Sequence, residues 1–367
     1  MPKKLALTKS APQPVRLLSD VRQLILSARE DVARTINTGL VALYWQIGRR
    51  IHMDILKERR AGYGERILHA LSANLAAEFG RGFGEKNLRR MVQFAASFSD
   101  TKIVAALLRQ LGWTHFTLLI PIDDPLKRDF YAEMCRIERW STRTLEKKIG
   151  SMLFERTALS RKPAKLAEIE IKKLREEDKL TPDLVFRDPY FLDFLGLKDT
   201  YAEKDIEAAI LREMEAFILE LGVGFAFLAR QKRMQIGHKD YYLDLLFYHR
   251  KLRRLIAIDL KLDEFQAADK GQMELYLKWL QKHDQAAEEA EPLGIILCAG
   301  KDAEHVELLE MEKSGIHVAT YLTEVLPKKE LERKLHDAVR LARARLAEQI
   351  ETEKQRPAPP GARRPKA

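Results

Sequence analysis

The chain has little cysteine: two residues in 367, Cys135 and Cys298, far apart and without paired spacing. That excludes a disulfide framework and a structural zinc site, and it fits a reducing cytoplasm. No apolar run approaches the ~20 residues needed to cross a bilayer, so no membrane segment is expected. The opening residues, MPKKLALTKSAPQPVR, lack the apolar stretch of a secretory signal. No Walker loop, G-x-G-x-x-G or Ser/His/Asp nucleophile arrangement occurs, so nucleotide hydrolysis and dinucleotide chemistry have no support. The histidines form no site, and His249, near a turn, is expected to face solvent.

Charge is abundant and unevenly placed. Residues 1–160 hold 27 Lys+Arg against 16 Asp+Glu, while residues 161–367 hold 37 against 38. Within 201–330 the count is 18 against 24, a net −6. A basic first half joined to an acidic second half suggests that the first finds a polyanion and the second holds a cation.

Apolar residues at three- and four-residue steps from Leu17 to Ile47 predict a long first helix. Helices follow over about 64–79 and 85–98, separated by GRGF (80–83). LGWTHFTLLIPIDDP (111–125) reads as a break, and 126–138 and 142–154 as helices, the latter capped by Ser141. Trp45, Trp113 and Trp140 are assigned to the core rather than to base stacking. Residues 160–188 are highly charged and read as a linker with some helix. Beyond Asp199 the pattern is a helix to Leu221, strands near 225–231, 241–248 and 254–260, a helix over 267–283, and strands at 294–299 and 316–322. Residues 1–15 and 351–367 read as flexible leader and disordered basic tail.

The runs Tyr241–Tyr248 and Leu255–Leu260 suit a hairpin with its turn centred between Lys251 and Leu252. Asp244 and Asp259 are equidistant from that centre, so they face each other with Cβ atoms roughly 4.5–5.5 Å apart. Alternation puts Lys261 on the same face and leaves Leu243, Leu245, Phe247, Ile256, Ile258 and Leu260 on the other. Opposed like charges destabilise a sheet unless something neutralises them, and a divalent cation would. Acids on the second and third strands, followed by Asp259-Leu260-Lys261, meet the requirement of a PD-(D/E)xK nuclease. Two carboxylates, with the Leu260 carbonyl as a third ligand, would hold Mg²⁺ or Mn²⁺, and the lysine would position or activate the attacking water. Gln272 and Tyr276, four apart on the next helix, match the Q-x-x-x-Y element of RecB-like nucleases. Glu207 lines up with Ile210, Leu211, Met214 and Ile218, a stripe expected to face the core, where it could serve a second metal.

With these residues in place, the chain resembles the YhcG-type bacterial family. The likeness runs through YFLDFLGL (190–197), YAEKDIEAAIL (201–211), DYYLDLLFYHR (240–250), IAIDLK (256–261), GQMELYL (271–277) and GIILCAGK (294–301). In the first half it runs through YWQIGRRI (44–51), FGRGFGEKNLRRM (79–91) and LGWTHFTLLI (111–120). His238 and Asp263 stand where that family usually has Gly. The resemblance implies a restriction-endonuclease-like α/β core, a mixed sheet flanked by helices, behind an all-α, helix-turn-helix-like domain. It also implies metal-dependent hydrolysis of phosphodiesters.

The expected organisation is a basic helical DNA-binding domain (16–160), a charged linker (161–188), a nuclease domain (189–328), a terminal helix (329–350) and a tail (351–367). Two helix–break–helix units could lay a second helix in the DNA major groove, one presenting Lys86, Arg89 and Arg90, the other Arg143, Lys147 and Lys148. The expected function is metal-dependent DNA cleavage in the cytoplasm. The alternative is a DNA-binding or assembly protein that keeps the nuclease fold without efficient catalysis. RNA is a further substrate option, and a homodimer is a partner option without an identifiable interface.

Overall fold

A computed structural model describes residues 13–57, 63–195, 202–324 and 326–355. It divides into two compact units, Met1–Glu146 and Lys147–Ala367. Residues 13–15 of the expected leader and 351–355 of the expected tail are helical, and the remainder of both lies outside the described residues. No single helix among those described is long and apolar enough to cross a membrane.

The first unit is helical: α1 (Gln13–Lys57), α2 (Tyr63–Phe79), α3 (Glu85–Ser97), α4 (Thr101–Leu108), α5 (Trp113–Leu119) and α6 (Pro125–Glu138), followed by α7 (Thr142–Gly150) at its boundary. Tyr44 and Ile51 of α1 share a core with Leu88 and Met91 of α3, and Val41, Trp45 and Phe94 are buried as well. Gly48 marks the closest approach of these helices, since a Cβ there would lie 1.8 Å from the Met91 carbonyl oxygen. Asp100 caps α4 by accepting the Lys102 N–H, and Asp124 caps α6, with Pro125 in its first turn. Ser141 Oγ accepts the Thr144 N–H at 3.1 Å, the expected cap of α7. Trp45 and Trp140 are buried, and the Trp45 indole donates to the Phe98 carbonyl. The stretch read as a break at 111–125 contains α5, whose Phe116 and Leu119 are fully buried. Its flanking Gly112 and Pro121 disguise a helix of only seven residues.

The second unit opens with short helices α8 (Leu153–Arg156) and α9 (Ala158–Arg161), then α10 (Ala164–Glu177) and α11 (Pro182–Val185). The charged segment is thus largely helical, and α10 buries Ala167, Ile171 and Leu174 along one stripe. Next come β1 (Tyr190–Phe191), α12 (Glu203–Arg212), α13 (Met214–Leu221), β2 (Phe225–Ile236), β3 (Lys239–His249), β4 (Arg254–Leu260), α14 (Ala267–His283), β5 (Leu293–Cys298), α15 (Ala303–Leu308), β6 (Ile316–Leu322) and α16 (Lys328–Gln355). The strands form one mixed sheet in the order β1-β6-β5-β4-β3-β2. β2, β3 and β4 are antiparallel, and β4, β5, β6 and β1 are parallel.

Both faces of the sheet are covered. Leu246, Leu255, Ala257 and Ile296 pack with Met273, Tyr276 and Leu277 of α14. Phe247, on the opposite face, meets Phe217 of α13 with ring centroids 6.1 Å apart. The face expected to carry the Asp244, Asp259 and Lys261 cluster carries it at one end and is apolar elsewhere. A sheet that is parallel through its centre is buried on both sides, which explains the difference.

Two expectations fail here. His249 is fully buried, with Phe225 edge-on at 4.7 Å, and its Nδ1 accepts the Leu252 N–H. Burial, reinforced by Lys251, lowers its pKa to about 4, so the ring is neutral. The predicted single helix to Leu221 breaks at Glu213, and the buried stripe runs through Ile206, Ile210, Phe217 and Leu221. Leu211, Met214 and Ile218 are only half-buried, because the break rephases the second segment.

Where α8 to β1 meet the sheet, charges are buried in pairs. Fully buried Arg156 contacts Glu220 at 2.5 Å, and Arg187 contacts its other oxygen at 3.1 Å. Asp188 pairs with Arg161 at 2.7 Å and Lys301 at 2.5 Å, and accepts the Thr320 N–H.

Candidate active site

The β3–β4 ladder pairs Leu245 with Ile258 and Leu246 with Ala257, the register drawn from the turn position. One step further, Asp244 and Asp259 fall opposite each other. Asp244 is half-buried and replaces a ladder bond: its Oδ2 accepts the Leu260 N–H at 2.8 Å. Asp259 is buried, 3% exposed. Burial raises its carboxyl pKa to about 7; Lys261 opposes that rise and Asp244 adds to it.

Lys261 leaves β4 at its end and reaches back, with Nζ 2.9 Å from Asp259 Oδ2. The contact has ion-pair distance, yet Oδ2 makes no well-aligned hydrogen bond. Burial alone would lower the Lys261 pKa, but Asp259, together with Asp269 and Glu203, outweighs it and the net shift is upward. The side chain is therefore an ammonium at neutral pH, a donor rather than a base.

The pair from α14 explains its own spacing. Lys261 Nζ donates to Gln272 Oε1 at 3.4 Å, Gln272 Nε2 donates to Tyr276 Oη at 2.6 Å, and Tyr276 Oη donates to the Tyr242 carbonyl at 3.1 Å. An amide can turn over, and the buried tyrosine fixes which end faces the lysine. The sequence pattern thus becomes a relay that orients Lys261 from β3 through α14.

Glu207 does not join the two aspartates directly. Gln231 of β2 lies between them, donating to Glu207 Oε2 at 2.9 Å and to Asp244 Oδ1 at 3.0 Å. Its neighbours Arg230 and Lys232 pair with Leu245 and Leu243, so Gln231 stands opposite Asp244. Gln231, Asp244 and Asp259 form a row across three strands. Gln231 also has φ 43°, an uncommon value for a residue with a side chain, just past an irregularity in the strand at Phe227–Ala229. It is absent from the expected site residues, although hairpin arithmetic would have found it. The turn at Gly237–His238 pairs Ile236 with Lys239, and counting back pairs 231 with 244.

Among the described residues no three His, Cys, Asp or Glu side chains converge to hold a metal ion. Two carboxylates do face each other, one with a buried oxygen lacking a hydrogen bond, and both offer the hard oxygen donors that Mg²⁺ or Mn²⁺ prefers. Glu207 stands one amide away. The residues fit a cation held by the aspartate pair.

The basic candidates differ in availability. Lys86, Arg143 and Lys147 are exposed and Arg90 is half-buried. Arg89 is paired with Glu85 at 2.7 Å, and Lys148 donates to the Leu219 carbonyl at 3.3 Å.

Comparison with known proteins gives two family matches: the DUF1016 N-terminal domain over residues 20–156 and the YhcG PDDEXK nuclease domain over residues 183–336. A relative in Escherichia coli (strain K12), YhcG, itself a nuclease by assignment, is 34% identical over 310 residues. The match spans 76% of this chain and 82% of that protein. Among solved structures, a repair endonuclease from Pyrococcus abyssi shares 21% identity over 34% of this chain and 49% of its own, with TM-score 0.25. EndoMS in complex with double-stranded DNA shares 19% over 35% and 49%, with TM-score 0.26. The chain spans about half the length of these two structures, and likeness of that extent carries no mechanistic weight.

Proposed function

The chain belongs to the YhcG family and its second unit is a PDDEXK nuclease domain, and from that premise we propose that it is a divalent-metal-dependent nuclease acting on DNA in the cytoplasm. The observation that carries the reading is the opposed Asp244–Asp259 pair with an ammonium fixed beside it. Asp244, Asp259 and the Leu260 carbonyl would hold the ion, with Glu207 available to a second. A Mg²⁺ or Mn²⁺ ion there supplies neutralisation of the charge that develops on the phosphate.

The chain's own residues do the rest. Lys261 donates a hydrogen bond to the attacking water and sets its direction, and being an ammonium it also offsets phosphate charge. Gln272 and Tyr276 hold that ammonium in place. Gln231 keeps Glu207 and Asp244 at a set separation, as partners behind metal ligands commonly do. The basic first unit engages the DNA backbone through Lys86, Arg90 and Arg143, with Lys147 in the adjoining segment. Contacts of that kind give affinity that falls steeply with salt and carry no sequence information. The two cysteines, both free and buried, accord with a reducing compartment.

The test is a substrate panel of supercoiled, linear, branched and single-stranded DNA, each with and without Mn²⁺. Cutting that requires the ion and disappears in Asp259→Asn supports the reading. Binding to every substrate with cutting of none leaves a DNA-binding protein instead.

A further inference from the structure

Helix α1 has two apolar sides, and its own unit covers one. Val41, Tyr44, Trp45 and Gly48 are turned inward. At 3.6 residues per turn, Val32, Ile36, Gly39 and Leu43 lie on the opposite side. Every described side chain from Val21 to Ile36 is exposed. Val21, Ile25, Val32, Ile36 and Leu43 are each between 42% and 66% exposed. They are not scattered, because 21, 25, 28, 32, 36, 39 and 43 follow steps of four, three and four. That is an eleven-residue period, which keeps a stripe on one side of an almost straight helix.

Gly39 is the second observation. A glycine inside a helix costs about 1 kcal/mol relative to alanine and calls for a reason. Gly48 has one in the Met91 carbonyl, whereas a Cβ on Gly39 would meet nothing within 4 Å. Nothing described in the chain requires it.

We infer that this stripe pairs with the same stripe of a second copy, antiparallel, about a two-fold axis at Val32. In that register Val32 meets Val32, Ala28 faces Ile36, Ile25 faces Gly39 and Val21 faces Leu43. Every exposed apolar residue of the stripe meets an apolar or small one. The two largest mismatches are complementary, with an isoleucine set over alanine or glycine. A two-fold interface requires that self-complementarity, and a stripe symmetric about one residue provides it. Covering the stripe in both copies removes on the order of 1,000 Å² of surface, the lower bound for a specific pair. The pairing concerns the first unit alone and stands independently of the nuclease reading.

The full-length protein, followed by sedimentation velocity over a concentration series, is expected to dimerise. Gly39→Leu favours the isolated helix and has open space in its own chain, so helicity and thermal stability hold. Its dimer dissociation constant rises at least about tenfold. Under a mild oxidant Val32→Cys links two copies. Leu24→Cys does not, because its two copies lie roughly 24 Å apart along the antiparallel pair. The buried native cysteines leave that readout clean. A chain monomeric at every concentration overturns the inference, including one that instead sediments with lipid vesicles. So does a Gly39→Leu protein that dimerises as before, or linking by Leu24→Cys equal to that by Val32→Cys.

Discussion

Replacing Asp244 separates its two roles. Its Oδ2 accepts the N–H of Leu260, a residue 1% exposed, so Asp244→Ala leaves a buried donor unmatched at a cost of about 1–3 kcal/mol. The same change removes a like charge facing Asp259. At ~5 Å and an effective dielectric near 20 that repulsion is about 3 kcal/mol at most, and it is smaller near pH 7, where Asp259 is partly protonated. The two effects oppose each other, and the sign for Ala alone is not a clean measurement. Asp244→Asn relieves the same repulsion but keeps an oxygen for Leu260. Asn is therefore expected to be more stable than Ala by about 1–3 kcal/mol, a shift of roughly 0.5–1.5 M in urea midpoint at a constant slope of about 2 kcal/mol/M. Both variants lose metal-dependent cleavage, since neither offers an anionic ligand. Equal midpoints for the two would refute the structural role, and undiminished cleavage by Asn would refute the chemical one.

Further outcomes follow from the same geometry. Lys261→Met abolishes cleavage while gel-shift affinity for DNA stays largely intact; a variant that still cuts would remove the lysine from the chemistry. Gln231→Ala costs about 10–100-fold in activity or in the Mn²⁺ concentration for half-maximal cleavage, with little change in urea midpoint. An unaltered Mn²⁺ titration and rate would end its positioning role. His249 and His317 are both pushed down to about 4, first by burial and then by Lys251 and Lys301 respectively. Their pKa values are lower folded than unfolded, so the unfolded chain takes the proton first. Stability is full above about pH 6.5 and falls towards pH 4, by about 2 kcal/mol per histidine at pH 5. Urea midpoints that coincide at pH 7 and pH 5 would contradict this.

The sheet's central hairpin was legible because side-chain alternation and turn position together set a register, and the register sets who faces whom. The Gln272–Tyr276 pair was legible for a similar reason, a fixed four-residue step on a helix. What sequence could not convey was packing from elsewhere in the chain. His249 sits beside a turn, a position that suggests solvent, yet Phe225 of β2 closes over it. Gln231 lies in a strand half rich in Arg, Lys and Gln that reads as solvated surface, and its role comes from Glu207 on a separate helix. The charge of residues 160–188 hid a core stripe of three residues at helical spacing. Short α5 was masked by the Gly and Pro that bound it.

The buried ion pairs beside β1 decide where the chain can be cut. A fragment begun at residue 189, the boundary suggested by composition, would retain Glu220 but lose both of its arginine partners. It would also retain Lys301 without Asp188. A buried charge stripped of its partner costs about 3–5 kcal/mol, a large share of a domain's whole stability. A fragment begun ahead of Met152 keeps Arg156, Arg161, Arg187 and Asp188 in one piece. Isolation of the catalytic half for crystallography or assay thus depends on carrying along about forty residues that look, by composition alone, like a disposable tether.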